Sequence, residues 1–568
     1  MSEKINGAEA LMRCFKEENV TTIFGYPGGF IIPVFDALYS YQKEFDCILT
    51  RHEQGAIHAA QGYARVTGRP GVVIVTSGPA ATNVITGLAD AMMDSTPLVV
   101  ITGQSIVAQL GTDSFQETDV IGITQPVSKW SYQIRRAEDL PWAVARAFYI
   151  AREGRPGPVV LDLTKDAQTQ LFDFEYKKCR FIRSYQPNPT PDPNDLSLAA
   201  DLINLAKRPM AVIGQGVMLG HAEKELYAFL EKADIPAAST LLGLSIMADD
   251  YPLNMGMVGM HGNVAPNRKT GECDVLIAIG CRFSDRVTGD INTYAANANI
   301  IHFDIDPSEL NKNVRVFLPV LGNVKETLPA VTKLLKPARH TEWIAGFKTY
   351  KEQEEKEVIS RDLHPEGPEI TMAETVKCIS DQSGRRAVLV ADVGQNEMTS
   401  ARYFSAGPGR QFVASGGLGT MGFCLPAAVG AALGAPDSEI YAVCGDGGIQ
   451  MTIQELGTIM QYQLPVKVVV LNNNFLGMVR QWQELFWDKR YSSTRMQNPD
   501  FVQLAASYHI AGRRVEKREE LSEAVQQMID HKGPYLLEVH VEEEGMVYPM
   551  IPAGQPISDI IMGRTDTK

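Results

Sequence analysis

Ile440-Tyr-Ala-Val-Cys-Gly-Asp-Gly-Gly448, followed by Val466-Lys-Val-Val-Val-Leu-Asn-Asn473, is the stretch on which the fold turns. Each half is an apolar, β-branched run that stops at residues unsuited to continue a strand. Such runs read as strands buried on both faces, and the residues between them leave room for a returning helix. Strand, helix and second strand form a crossover, the unit of a parallel sheet. The glycines directly after the first run let the backbone turn tightly and bring N–H groups up to an anion. The crossover also places Asn473 beside Asp446, at the ends of neighbouring strands.

The same alternation runs outward in both directions. Val72-Val-Ile-Val75 and Leu98-Val-Val-Ile101 read as buried strands, with a helix-compatible segment over 80–93 between them. This first block closes near Arg183, and Ser184 to Pro193 has the proline-rich composition of a linker. A second block has strand candidates at Met210-Ala-Val-Ile213, Val275-Leu-Ile-Ala-Ile279 and Ile300-Ile-His-Phe303. A charged, helix-prone passage from Lys348 to Asp362 leads to a third block, which adds Ala387-Val-Leu-Val390 to the two opening strands. The pattern predicts an α/β protein of three doubly wound parallel-sheet domains, at 1–185, 195–340 and 365–568. A chain of 568 residues is too long for one core in any case.

Composition narrows the function classes. Lys plus Arg is 53 against 67 Asp plus Glu, a net charge of −14, so no basic excess points to a nucleic-acid partner. The eight cysteines are scattered with no C-x-x-C pair, which suggests reduced thiols rather than a zinc site or disulfide framework. No segment reaches a charge-free membrane span and the N-terminus has no long apolar region, so a cytoplasmic location is expected.

The chemistry gathers around the opening stretch. Asp446 supplies one hard oxygen, Asn473 an amide oxygen, and Phe475 is the best candidate for a main-chain carbonyl. With two diphosphate oxygens and one water these make the oxygen octahedron that Mg²⁺ demands. Alone, Gly-Asp-Gly is explained as well by an exposed turn; a strand before it and an Asn-Asn strand end after it favour the metal.

This pair of motifs resembles the thiamine diphosphate-binding signature of pyruvate-handling enzymes. Arg51-His-Glu-Gln-Gly-Ala56 then matches the family's glutamate. The resemblance implies that Glu53 hydrogen-bonds the aminopyrimidine ring and assists removal of the thiazolium C2 proton. Taken alone, Glu53 reads as a helix-start carboxylate favoured by the macrodipole. Glu53 and the metal motif lie in different domains, and the family joins them by pairing subunits head to tail.

Eight further motifs are similar to those of the acetohydroxyacid synthases and extend the resemblance over nearly the whole chain. They are Gly25-Tyr-Pro-Gly-Gly29, Thr76 to Asn83, Gly111 to Glu117, Arg155-Pro-Gly-Pro158, Met260-His-Gly262, Arg282 to Gly289, Ser415 to Gly422 and Gly477 to Gln483. By this resemblance Val393, Gly394, Gln395, Asn396, Gly419, Met421, Gly447, Gly448, Gly477 and Met478 line the thiamine site with Glu53, Asp446 and Asn473. Met421 is the candidate wedge under the bent cofactor, although a simple core methionine would look the same. Gly29, Phe115, Gln116 and Lys165 match positions near the reacting keto acids, Gln116 and Lys165 among the catalytic ones. Arg286 matches the residue that pairs with the acceptor carboxylate, and Trp482 the wall of its side-chain pocket.

The resemblance also implies FAD in the middle domain. Its positions fall on Arg155, Gly214, Gln215, Gly216, Thr240, Leu241, Met260, His261, Gly280, Arg282, Val287, Asp304, Ile305, Gly322 and Asn323. The short Gly-x-Gly after Ala211-Val-Ile213 is by itself equally a tight strand-to-helix turn. Three residues depart from the family pattern: Phe30 for alanine, Asn396 for histidine and Asn323 for aspartate.

The expected reaction decarboxylates pyruvate on thiamine diphosphate and passes the two-carbon unit to a second pyruvate or to 2-ketobutyrate. The products would be 2-acetolactate and 2-aceto-2-hydroxybutyrate, precursors of branched-chain amino acids. A homodimer or homotetramer is expected, with room for a separate regulatory subunit. The alternatives are a pyruvate oxidase or decarboxylase, a fermentative synthase without FAD, or a non-catalytic subunit. The last would be expected to lose Glu53, Asp446 or Asn473, and all three are present.

Overall fold

The computed structural model describes residues 4–384 and 386–564. It contains three six-stranded sheets, each parallel throughout. The first runs in the order Asp46–Leu49, Thr22–Tyr26, Gly71–Val75, Leu98–Gln104, Pro158–Thr164, Trp130–Ile134. The second runs Asn254–Met257, Ala237–Ser239, Pro209–Ile213, Val275–Ile279, Asn299–Asp304, Leu318–Leu321. The third runs Phe412–Val413, Val388–Ala391, Ile440–Gly445, Val466–Asn472, Tyr535–His540, Ala511–Val515. In each sheet the chain starts one or two strands in from an edge, builds out to that edge and then crosses to the other side. The doubly wound pattern is therefore present three times.

The central strands are buried along their whole length, as continuous apolar runs require when helices cover both faces. The first and third domains share one core, which contains both Val73 and Val468. Its centre is the crossing of helix Glu53–Thr67 with helix Cys424–Gly434. A Cβ on Gly62 would collide with the Ala427 carbonyl, and one on Gly430 with the Ala59 carbonyl. Only glycine lets these two backbones approach so closely.

Two elements differ from the sequence expectation. The segment over 80–93 is two helices, Pro79–Asn83 and Ile85–Met93, broken at Val84. The Thr82 hydroxyl donates to the Pro79 carbonyl at 2.9 Å, a local bond that competes with the helix ladder where β-branched residues crowd. In the charged passage, helices Phe347–Glu354 and Ser360–Leu363 are joined by a π-helical turn, Glu355–Ile359. All eight cysteines are free, and among the described residues no helix is long and apolar enough to cross a membrane.

Candidate active site

In the third sheet the strand order reverses between Val388–Ala391 and Ile440–Gly445, which opens a crevice at their C-terminal ends. Three helices begin there: Gln395–Tyr403, Asp446–Met451 and Gly477–Phe486. Glycines sit at the starts because the space demands them. A Cβ on Gly448 would lie 2.6 Å from the Asp392 carboxylate, and one on Gly447 2.7 Å from Leu476. Gly394 adopts φ +132°, outside the range of ordinary side chains. Three helix N-termini converging on one crevice make a cradle for an anion such as a diphosphate.

Asp446 lies at the edge of that cradle, 1% exposed. Its Oδ2 accepts a hydrogen bond from Asn498 Nδ2 at 2.6 Å, and among the described residues it has no ion pair. Burial pushes its carboxyl up to about 6, so a cation alongside would hold it ionised. Asn473 lines the same crevice, its Oδ1 accepting from the Phe475 N–H at 3.2 Å, and Phe475 follows in the turn. No cluster of three or more His, Cys, Asp or Glu residues is found among the described residues. A single carboxylate among amide and carbonyl oxygens suits a hard ion such as Mg²⁺ rather than zinc.

The second sheet reverses order between Pro209–Ile213 and Val275–Ile279, and the strands end in Gly214–Gly216 and Gly280. A Cβ on Gly216 would sit 2.6 Å from Gly280 Cα, so both turns are closely packed glycine turns. The crevice here joins the one in the third domain as a continuous cavity of about 1450 Å³. Ordinary small-molecule pockets hold about 300–1,000 Å³, so this one has room for more than one large group. Every predicted thiamine-site residue of the third domain lines it, as do all the predicted FAD positions except Gly322. Gly322 instead packs against Pro191 of the linker, where a Cβ would lie 2.8 Å from the proline ring.

The walls of this cavity carry its chemistry. His261 is buried and held neutral, its pKa lowered to about 4 by burial and then by Arg402, and its Nδ1 has no hydrogen-bond partner. An orphaned ring nitrogen beside a glycine cradle fits an elongated polar ligand such as FAD. Arg155 is tied to Asp306 at 3.1 Å and Glu309 at 2.6 Å. Arg286, from the middle domain, lies 5.8 Å over the ring of Trp482, from the third. The two residues expected to hold an acceptor are therefore brought together from sequence positions far apart.

Of the predicted first-domain residues only Arg155 lines the cavity. Glu53, Gly29, Phe115, Gln116 and Lys165 do not line the cavity. Glu53 opens helix Glu53–Thr67, whose cap is His52, and its Oε2 accepts from Asn83 Nδ2 at 2.9 Å. Gln116 holds φ +59° against Gly78, a strained setting for a side chain of this type. Lys165 opens the short helix Lys165–Thr169 after Pro158–Thr164, its ammonium 6.0 Å from the Phe30 ring, and Phe115 is 80% exposed. These groups follow strands of one parallel sheet or stand on loops beside them, apart from the cavity that holds the other predicted residues.

The departures have physical accounts. Asn323 caps helix Val324–Leu334, its Oδ1 accepting from the Lys325 N–H, as an aspartate would. Asn396 Nδ2 donates to the carbonyls of Asp392 at 2.7 Å and Val443 at 3.4 Å, bracing the two strands that flank the crevice. Phe30 supplies the ring facing Lys165. Sequence reasoning missed Asn498 and Asp392. A lone asparagine in a loop gives no signal, whereas Asp392 could have been found as the residue directly before Val393-Gly394.

Three family models match in succession. The N-terminal thiamine pyrophosphate-binding domain of the thiamine pyrophosphate enzymes matches residues 5–123, their central domain 196–331 and their C-terminal thiamine pyrophosphate-binding domain 392–539. The chain is 42% identical to a probable acetolactate synthase large subunit of Methanococcus aeolicus, over 98% of this chain and 95% of that one. It is 43% identical to the acetolactate synthase isozyme 2 large subunit of Escherichia coli, over 98% and 99%. The mitochondrial acetolactate synthase catalytic subunit of Saccharomyces cerevisiae is 38% identical over 98% of this chain and 84% of its own length.

Proposed function

The chain belongs to the acetolactate synthase large subunits of the thiamine pyrophosphate enzyme family, and from that premise we propose its reaction and the part each residue takes. Pyruvate is decarboxylated and its two-carbon unit is joined to a second 2-keto acid, pyruvate or 2-ketobutyrate. One observation carries this reading: the diphosphate cradle at Gly445–Gly448 and Asn473 opens into the same cavity as Arg286 and Trp482. A diphosphate cofactor and an acceptor acid would thus share one chamber.

Bound thiamine diphosphate supplies a nucleophilic ring carbon and a sink for the electron pair left when CO₂ departs. The chain's own groups do the rest. Helix starts at Gln395, Asp446 and Gly477 would hold the diphosphate, and Asp446, Asn473 and Phe475 would hold Mg²⁺. Arg286 offers a planar donor fork to the acceptor carboxylate, and Trp482 an apolar wall to its side chain. The strand ends at Gly214–Gly216 and Gly280 would hold FAD in the middle-domain arm of the cavity. Closure of the cavity by a neighbouring chain would keep water from the reacting centre and favour carbon–carbon bond formation over release of acetaldehyde.

Glu53, Gln116 and Lys165, with Gly29 and Phe115, serve a neighbouring chain's cavity, so the working unit is at least a homodimer. The term large subunit in the relatives' names supports a separate regulatory partner. A cytoplasmic location is our reading, although the yeast relative is mitochondrial. The domain limits of 1–185, 195–340 and 365–568 place one sheet in each part. Turnover of pyruvate, with thiamine diphosphate, Mg²⁺ and FAD each withheld in turn, tests the whole proposal. Acetolactate as the main product supports it; acetaldehyde or hydrogen peroxide in its place would refute it.

A further inference from the structure

The loop after helix Gly477–Phe486 returns to the metal cradle. The Leu476 N–H donates to the Thr494 carbonyl at 2.8 Å, the Met496 N–H to the Asn474 carbonyl at 2.8 Å, and Phe475 bridges Arg495 in antiparallel fashion. Residues 494–496 are thus zipped onto the turn that holds Phe475. Two residues further on, Asn498 faces Asp446.

The Asn498 amide is unusually committed. Its Nδ2 lies 2.6 Å from Asp446 Oδ2, 2.9 Å from Asn472 Oδ1 and 3.3 Å from Asn474 Oδ1. Its Oδ1 accepts from Gln450 Nε2 at 3.0 Å, and that same nitrogen donates to the Asp446 carbonyl. One neutral donor group therefore ties the carboxylate to the residues on either side of Asn473. A neutral donor occupies one carboxylate oxygen without cancelling its charge; a lysine or arginine there would compete with a bound cation. Asp446 Oδ1 is the oxygen left without a side-chain partner among the described residues.

We infer that Asn498 is a positioning residue for Mg²⁺, acting through Asp446 and held in place by Gln450. The inference rests on the reading of Asp446 as a metal ligand. Residues that orient a ligand in this way are worth roughly 10–100-fold in metal affinity.

Calorimetric titration of Mg²⁺ into the full-length, chelator-stripped protein with thiamine diphosphate present tests it, beside a melting curve in chelator. Asn498→Ala should raise the Mg²⁺ dissociation constant by roughly 10–100-fold. The melting point in chelator should stay near that of the parent, since a merely structural role would move the melt and leave affinity alone. Gln450→Ala should move affinity in the same direction by less, and the double variant should cost less than the sum of the two. A folded Asn498→Ala protein with parental affinity overturns the inference. If that variant does not fold, an unchanged affinity in Gln450→Ala overturns it equally. If the parent itself binds no Mg²⁺, the metal reading fails, and the inference falls with it for a separately visible reason.

Discussion

The proposal that each working site is built from two chains makes a sharp prediction about activity in mixed dimers. Asp446 lines the large cavity and Glu53 does not, and helix Glu53–Thr67 packs closely against Cys424–Gly434 at Gly62 and Gly430. If each working site takes Glu53 from one chain and Asp446 from the other, single variants can complement each other. In a dimer of Glu53→Gln with Asp446→Ala, one site carries both substitutions and the other neither. The purified mixed dimer should keep about half the parental activity, and random pairing should give about one quarter, while each variant alone is nearly inactive. The reverse arrangement is the control. A chain carrying both substitutions, paired with an unaltered chain, spoils both sites and should be nearly inactive. Tagging the two chains differently, purifying the mixed dimer and measuring acetolactate formation reads both cases. If Glu53 and Asp446 met within one chain, the pattern would invert, with the first dimer dead and the second half-active. That result would refute the two-chain site.

Three further outcomes follow from single residues. Trp482→Leu should leave donor decarboxylation running but lower the preference for 2-ketobutyrate over pyruvate by about 4- to 10-fold, from about 0.8–1.4 kcal/mol for one buried methylene; an unchanged product ratio in a folded, active variant would remove Trp482 from specificity. Glu53→Gln should slow hydrogen exchange at the cofactor C2 by roughly 10²–10⁴-fold with little change in cofactor binding, and an unaltered exchange rate would end its assignment. Burial lifts the fully enclosed Asp392 from 3.8 to about 7. Between those values the native chain holds a proton that the unfolded chain has lost, so its contribution to stability is greatest at low pH and drains away as pH rises towards 7. Asp392→Asn removes that loss, so its melting point in cofactor-free protein should gain on the parent's across that window; parallel profiles would show that Asp392 is not the buried acid responsible.

What could be read from the sequence was what depends on local pattern. Strands such as Val72–Val75 and Val466–Leu471 were legible because helices cover both faces, and a strand dry on both sides has no polar alternation to disguise it. The cradle was legible because Gly445–Gly448 combines a strand end, a tight turn and a carboxylate in a few residues. Contacts made by returning segments were not. Asn498 matters only because residues 494–496 zip onto the turn at Phe475, a pairing that no local pattern encodes. Gly322 matched a cofactor position by resemblance, yet the proline-rich linker folds back so that Pro191 occupies the space beside it. The departures follow the same logic. Asn323 and Asn396 differ from expectation in chemistry, and each makes a backbone hydrogen bond of its own, one as a helix cap and one as a brace between strands. A substitution in this site is therefore better judged by the backbone group it must satisfy than by its likeness to the residue it replaces.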